Sequence, residues 1–151
     1  MAGAAHLIVQ IAGVYARQGR NFLTTILRLS REREVLRVVA DQVGPPTWAG
    51  AVAEATATMV RQQPGPAASG IYHLASPNGC SWHDLAAAIL REDPAPADRV
   101  VRRLEAIPAA SHPSPAQRPR FSMLDSRRAA SMFGVALPTR EAQLQGCLRS
   151  Q

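Results

Sequence analysis

Apolar positions recur along this chain in two rhythms, and each rhythm marks a different kind of element. Residues 7–15 hold Leu7, Ile8, Val9, Ile11 and Val14 in one short run. A run this short and this apolar reads as a parallel strand buried on both faces. From Asn21 the spacing changes. Phe22, Ile26 and Leu29 recur at helical intervals, joined by Leu23 and Leu27, which predicts an amphipathic helix over 21–34. The Asn21 amide oxygen can cap it by accepting from an unpaired amide of the first turn. Leu36, Val38 and Val39 then return to the bulk of a buried strand.

Asp41 ends that strand. Gly44, Pro45 and Pro46 follow, and these residue types bar helix and ladder pairing. Residues 41–47 are therefore expected to form a stiff loop that opens with a carboxylate and an amide. It is either a plain strand-to-helix connector or a mount for polar groups. A second helix is expected over 48–61, with Ala49, Val52, Ala53, Thr56 and Val60 on its buried face, and Pro64, Gly65 and Pro66 ending it. Ile71 to Ala75 reads as a short strand containing His73, a structural histidine. Ser81 with Asp84 three residues on approximates a capping box for a helix that buries Leu85, Ile89 and Leu90. After a Pro/Ala/Asp linker over 91–98, Val100, Val101 and Leu104 suggest another strand. The tract 111–119 is proline-rich and extended, and short helices close the chain over 125–133 and 139–148. Strands near 7, 35, 70 and 100 alternate with helices, as in βα units, so the fold class is α/β.

Composition narrows the possibilities. A chain of 151 residues with 46% apolar content can bury one real core, and no run approaches the ~20 apolar residues of a membrane helix. The first residues lack a basic start and a clean apolar stretch, so a secretory signal is not expected. Cys80 and Cys147 are too few for a disulfide scaffold or metal site and read as ordinary buried or half-buried thiols. A cytoplasmic location, with no membrane, follows. The net charge is +6 and every basic residue is arginine. Arg17, Arg20, Arg28 and Arg31 precede the first acidic residue. Guanidinium suits a phosphate-bearing ligand. Nucleic acid is not expected, because aromatic residues make up only 5%.

Several stretches carry a resemblance. Asp41-Gln42-Val43-Gly44-x-Pro46-Thr47 resembles the D-Q-x-G-x-P-T signature of dTDP-4-dehydrorhamnose reductases, which are sugar-nucleotide enzymes of the extended short-chain dehydrogenase type. Val14-Tyr15 and Asn21-Phe22 resemble the family's V-Y-G…N-F segment, and Gly70-Ile71-Tyr72-His73-Leu74-Ala75 its G-x-Y-H-L-A strand. Ser81-Trp82 resembles its S/T-W. Pro113-Ser114-Pro115-Ala116-Gln117-Arg118-Pro119-x-x-Ser122-x-Leu124 resembles its Y-P-T-P-A-x-R-P-x-x-S-x-L run. The five occur in the family's order over roughly residues 8–148.

The resemblance implies the C-terminal part of a Rossmann-type extended short-chain dehydrogenase fold, with its small substrate-binding lobe and without the N-terminal dinucleotide-binding half. A family member is about twice as long. Its first half carries a glycine-rich loop and a Tyr-x-x-x-Lys pair, and this sequence has neither. Residues 1–151 are expected to form one unit, with 7–34 closing the Rossmann core and 35–151 forming the sugar-nucleotide lobe. The resemblance implies NADPH or NADH as the intact enzyme's reductant, with none expected on this chain alone, and a magnesium ion in some members. No catalytic residue is assigned. Candidate substrate contacts are Arg17, Asn21, Asp41, Gln42 and Arg118. Alternative roles remain open: Arg17 as a solvated loop residue, Asn21 as a cap alone, Arg118 as part of a structural network. The family's substrate-facing tryptophan is Gly13 here. Expected partners are a dTDP-sugar nucleotide and either a separately encoded N-terminal half or a second copy. The implied activity is reduction of dTDP-4-dehydro-L-rhamnose to dTDP-L-rhamnose by the intact parent, with this chain inactive alone. The alternatives are a non-enzymatic sugar-nucleotide-binding or regulatory fragment, and an inert gene fragment.

Overall fold

Glycine and the polar residues flanking the apolar runs decide where elements start and stop. The computed structural model describes residues 6–112 and 118–150. The expected strand over 7–15 is two strands, β1 (Leu7–Gln10) and β2 (Val14–Tyr15). Gly13 separates them with φ +59°, a left-handed turn that breaks the ladder. The run is also not buried on both faces: Ile8, Ile11 and Val14 are exposed.

Helix α1 (Phe22–Glu32) starts at Asn21 as expected, and stops two residues earlier than the apolar spacing suggests. β3 (Val35–Val39) follows. The expectation that Gly44 takes no part in a ladder is overturned. β4 (Val43–Gly44) pairs antiparallel with β7 (Cys80–Ser81), because the prolines that block pairing lie just beyond it. β5 (Thr47–Trp48) then pairs parallel with β2. Helix α2 (Ala49–Arg61) buries Ala51, Ala55 and Met59 rather than the expected face, and Val60 is 59% exposed. Alanine is ambivalent, so an alanine-rich helix carries two equivalent i, i+4 series. The longer Met59 decides between them by filling the core.

β6 (Gly70–His73) pairs parallel with β1. Helix α3 (Trp82–Arg91) has the expected box: Ser81 Oγ accepts from the Asp84 amide at 3.0 Å and the Ser81 amide donates to Asp84 Oδ2 at 3.4 Å. β8 (Arg103–Ile107) pairs parallel with β3, with Val39 opposite Ile107. Val100 and Val101 fall before that strand, since both their amides donate to the Ser30 carbonyl at 3.0 Å. Helices α4 (Arg127–Phe133) and α5 (Arg140–Arg149) close the chain. Gly134 ends α4 at φ +65°, and the Thr139 hydroxyl caps α5 by accepting from the Ala142 amide. Within the proline tract, residues 113–117 lie outside the described residues.

Two apolar clusters hold these pieces. In the first, α1, α3 and α5 cover β3 through Leu23, Ile26, Leu36, Val38, Leu85, Ile89 and Leu144. In the second, α2 and α4 cover one face of the β1–β6 pair through Ala51, Ala55, Met59, Tyr72 and Phe133. Trp48 packs against both clusters. The Tyr72 hydroxyl donates to the Ala68 carbonyl at 2.7 Å, so that large side chain is buried without an orphaned polar atom.

Candidate functional site

β3 follows α1 after only two residues and therefore runs back along it, and β8 lies parallel to β3. This places the carboxyl ends of both strands beside the N-terminal half of α1. Ligands of open α/β sheets bind outside the carboxyl ends of strands. A groove of about 1300 Å³ runs along this site. Its apolar lining comes from Phe22, Ile26 and Leu29 of α1, Val38 and Val39 of β3, and Trp82 at the start of α3. Phe22 and Trp82 pack with ring centroids 4.9 Å apart and planes tilted by 45°. Gln42, Ser111, His112 and Arg118 add polar groups at the carboxyl-end side, and Arg33 and Arg37 add guanidinium groups. Apolar walls with a few convergent polar groups fit a ligand with both a ring and an anionic part.

The five sequence-derived candidates occupy different places. Gln42 and Arg118 line the groove. Asp41 braces its rim: Oδ1 accepts from the Ala109 amide at 2.8 Å, and Oδ2 lies 3.6 Å from Arg120 Nη2. The carboxylate thus holds the 109–111 turn against the loop that carries Gln42. The side chain of Asn21 is spent on local structure. Oδ1 accepts from the Thr24 amide at 3.2 Å, and Nδ2 donates to the carbonyls of Ala16 at 2.8 Å and Gln18 at 3.1 Å. Arg17 reaches the C-terminal end of α5, where Nη1 donates to the Leu148 carbonyl. That contact complements the helix dipole and lies outside the groove lining.

Asn21→Ala is expected to cost about 1 kcal/mol through loss of the cap, read as a drop in the urea midpoint. Groove ligands are expected to bind the variant as they bind the parent chain. The sequence reading missed Arg33, Arg37 and His112. Arg37 carries a signal: it is a charge at the centre of a Val-Leu-Arg-Val-Val strand, and its Nε donates to Oε2 of its register partner Glu105 on β8 at 3.1 Å.

Gly13 does not open into this groove. It lines a smaller cavity of about 40 Å³ with Pro45 and Pro46. The strongly perturbed groups also lie elsewhere. Burial pushes the Tyr15 phenol up, and its hydroxyl has no hydrogen-bond partner. Burial likewise raises the Cys80 and Cys147 thiols, against the opposing pull of Arg140 on Cys80 and of Arg17 on Cys147. Thiols held protonated are poor nucleophiles. Arg127 holds the exposed Asp125 carboxyl down at about 2. Among the described residues no group of three or more His, Cys, Asp or Glu side chains could hold a metal. The first turns of α1, α3 and α5 are capped by Asn21, Ser81 and Thr139, whereas α2 and α4 have no side-chain cap. No Gly-x-Gly-x-x-Gly turn of the dinucleotide-binding type precedes any of the five.

The structure is similar to two solved dTDP-4-dehydrorhamnose reductases. One is from Clostridium acetobutylicum, with TM-score 0.82 and 27% identity. The other, from Bacillus anthracis in complex with NADP, has TM-score 0.79 and 26% identity. Each match covers 94% of this chain and 47% of the solved one. Among curated proteins, the dTDP-4-dehydrorhamnose reductase of Burkholderia thailandensis is 39% identical over 155 residues, covering 97% of this chain and 52% of the relative. The chain spans about half the length of the curated relatives it matches. The family described as the RmlD substrate binding domain matches residues 1–151. The chain belongs to the RmlD substrate-binding-domain family.

Proposed function

We propose that this chain supplies the sugar-nucleotide-binding portion of a dTDP-4-dehydrorhamnose reductase, with the groove between α1 and β3 as the ligand site. The observation that carries the proposal is the convergence of Gln42, Arg118 and apolar walls at the carboxyl ends of β3 and β8. A nucleoside diphosphate pairs a planar ring with two phosphates. The apolar walls suit the ring, and Arg118 suits phosphate because guanidinium binds it in a bidentate manner. Asp41 acts here by holding the rim in place. Residues 7–34 then complete a dinucleotide-binding core and 35–151 form the recognition lobe.

Hydride transfer from NADPH or NADH to a 4-keto sugar belongs in this reading to the intact enzyme. Its proton donor and reductant site lie in the other half of the family fold, on a separately encoded chain or on the same polypeptide. This chain binds and orients the sugar nucleotide and transfers no hydride by itself. No helix among the described residues is long and apolar enough to cross a membrane.

Titration calorimetry with dTDP and dTDP-L-rhamnose tests the proposal. Saturable binding is expected for the parent chain. Arg118→Ala is expected to weaken it about tenfold, the scale of one charge-assisted contact, and Gln42→Ala by a smaller factor. Absence of binding heat for either ligand at millimolar concentration overturns the proposal. So does binding that is unchanged in both variants.

A further inference from the structure

Four of the described residues that line the groove can carry charge: Arg33, Arg37, His112 and Arg118. Guanidinium groups stay charged at every pH a folded protein meets. An imidazole takes up its proton between about pH 8 and about pH 5. His112 is therefore the member of this set whose charge changes near neutrality.

The backbone that carries His112 is pinned by the carboxylate that also steadies the Arg118 segment. Asp41 Oδ1 accepts from the Ala109 amide at 2.8 Å. The turn then closes on itself, with the amides of Ser111 and His112 donating to the carbonyls of Pro108 and Ala109 at 2.9 and 3.0 Å. Asp41 Oδ2 lies 3.6 Å from Nη2 of Arg120, the second residue after Arg118. The Val43 amide donates to the Arg120 carbonyl at 2.8 Å, which lays that segment beside the loop bearing Gln42. Three separate stretches thus bring His112, Gln42 and Arg118 to one rim, and the His112 side chain is exposed there.

We propose that His112 is a second phosphate-binding residue of the groove, acting with Arg118 on the two linked phosphates of a nucleoside diphosphate ester. The proposal rests on the reading of the groove as a sugar-nucleotide site. One guanidinium grips one phosphate in a bidentate manner, and the neighbouring phosphate needs a donor of its own. An imidazolium offers two N–H donors and a positive charge, whereas the neutral ring offers one donor and no charge. An anionic ligand favours the protonated ring, so affinity rises as pH falls from about 8 towards about 5.

Other groups around the groove do not supply this dependence. Carboxylates titrate below that window; the nearest are Asp41, beside Arg120, and Glu105, beside Arg37 at 3.1 Å and Arg103 at 3.5 Å. Helix α1 presents Phe22, Thr25, Ile26 and Leu29 to the groove, and α3 presents Trp82. His83 follows Trp82 but lies outside the lining, with Nδ1 3.8 Å from Asp84 Oδ1.

The test is calorimetric titration of the full chain with dTDP-L-rhamnose at about pH 8 and about pH 5.5, inside the imidazole window. This ligand is chosen because its phosphates are esterified and hold no proton to lose there, unlike the terminal phosphate of free dTDP. Binding is expected to be about fivefold tighter at the lower pH, the upper end for an exposed ion pair. His112→Gln is expected to bind like the parent at the higher pH and to lose the gain at the lower one. His112→Arg is expected to bind tightly at both. His83→Gln is expected to keep the parent's pH profile. A parent profile that is flat, or a profile that His112→Gln leaves unchanged, overturns the assignment of His112. If Arg118→Ala still weakens binding in that case, the groove remains the ligand site. No binding at either pH overturns the groove reading and this assignment together.

Discussion

Asp93→Ala is expected to lower the unfolding free energy by about 3 kcal/mol, the lower end for breaking a buried ion pair. The Asp93 side chain is fully buried, and two arginines from different segments approach it. Arg31 Nη2, in the last turn of α1, donates to Oδ1 at 2.9 Å. The Ala95 amide donates to the same oxygen at 3.0 Å. Arg99 Nε stands 3.7 Å from Oδ2, close enough for charge attraction, yet Oδ2 makes no hydrogen bond. One carboxylate therefore ties the end of α1 to the 93–99 loop that leads into β8. Arg31 and Arg99 keep 30% and 28% of their side-chain surface in water. Once freed they can turn outward, which is why the lower end of the range applies. For a chain of this length the loss corresponds to a fall in melting temperature of roughly 6–12 °C. Asp93→Asn keeps an acceptor for Ala95 and is expected to lose about half as much. A thermal melt showing less than ~1 kcal/mol for Asp93→Ala would place this network among ordinary surface pairs.

The parts of the fold legible in the sequence were those set by local chemistry. Asn21 and Ser81 cap helices because a short polar side chain beside an apolar series has few better uses, and the structure places both as caps. The βα alternation was legible for the same reason. What escaped the sequence was decided by distant groups. The buried face of α2 depends on which alanine series meets Tyr72 and Leu74, and alanine spacing does not record that. The pairing of Gly44 with Cys80 joins positions 36 residues apart, and two prolines directly follow Gly44. The exposure of Ile8 and Ile71 runs against their residue type, and spacing along the chain does not record it.

The candidate site divides along the same line. The motif around Asp41 lies on the loop that meets the groove, and Gln42 and Arg118 both line that groove although 76 positions separate them. Spacing alone did not separate the residue that faces the groove from the one that braces it. Gln42 lines the cavity while its neighbour Asp41 turns to the Ala109 amide. Arg33 and Arg37 were hidden because a charge on a helix end or an exposed strand face reads as ordinary solvation.

Gly13→Ala is expected to cost about 3 kcal/mol or more, and the reason bears on the groove. Its backbone lies at φ +59°, where an L side chain pays about 1–2 kcal/mol. A Cβ there would also stand 2.3 Å from the Pro45 carbonyl oxygen and 3.1 Å from the Pro45 carbonyl carbon. These atoms are backbone and cannot rotate away, so the loop must shift, at roughly 1–3 kcal/mol. The Thr47 amide donates to the Gly13 carbonyl at 3.0 Å, and Pro45, Pro46 and Thr47 are buried, so displacement at one end of the loop is transmitted along it. Gly19→Ala is the matched control. Gly19 has φ +78°, but a Cβ there meets nothing within 4 Å, so it bears the conformational cost alone. The difference between the two variants in urea melts isolates the contact with Pro45 and is expected to be about 2 kcal/mol. Equal losses would mean that the loop yields freely. In that case the stiffness of residues 41–47, and with it the fixed presentation of Gln42, would have to come from somewhere other than this close approach.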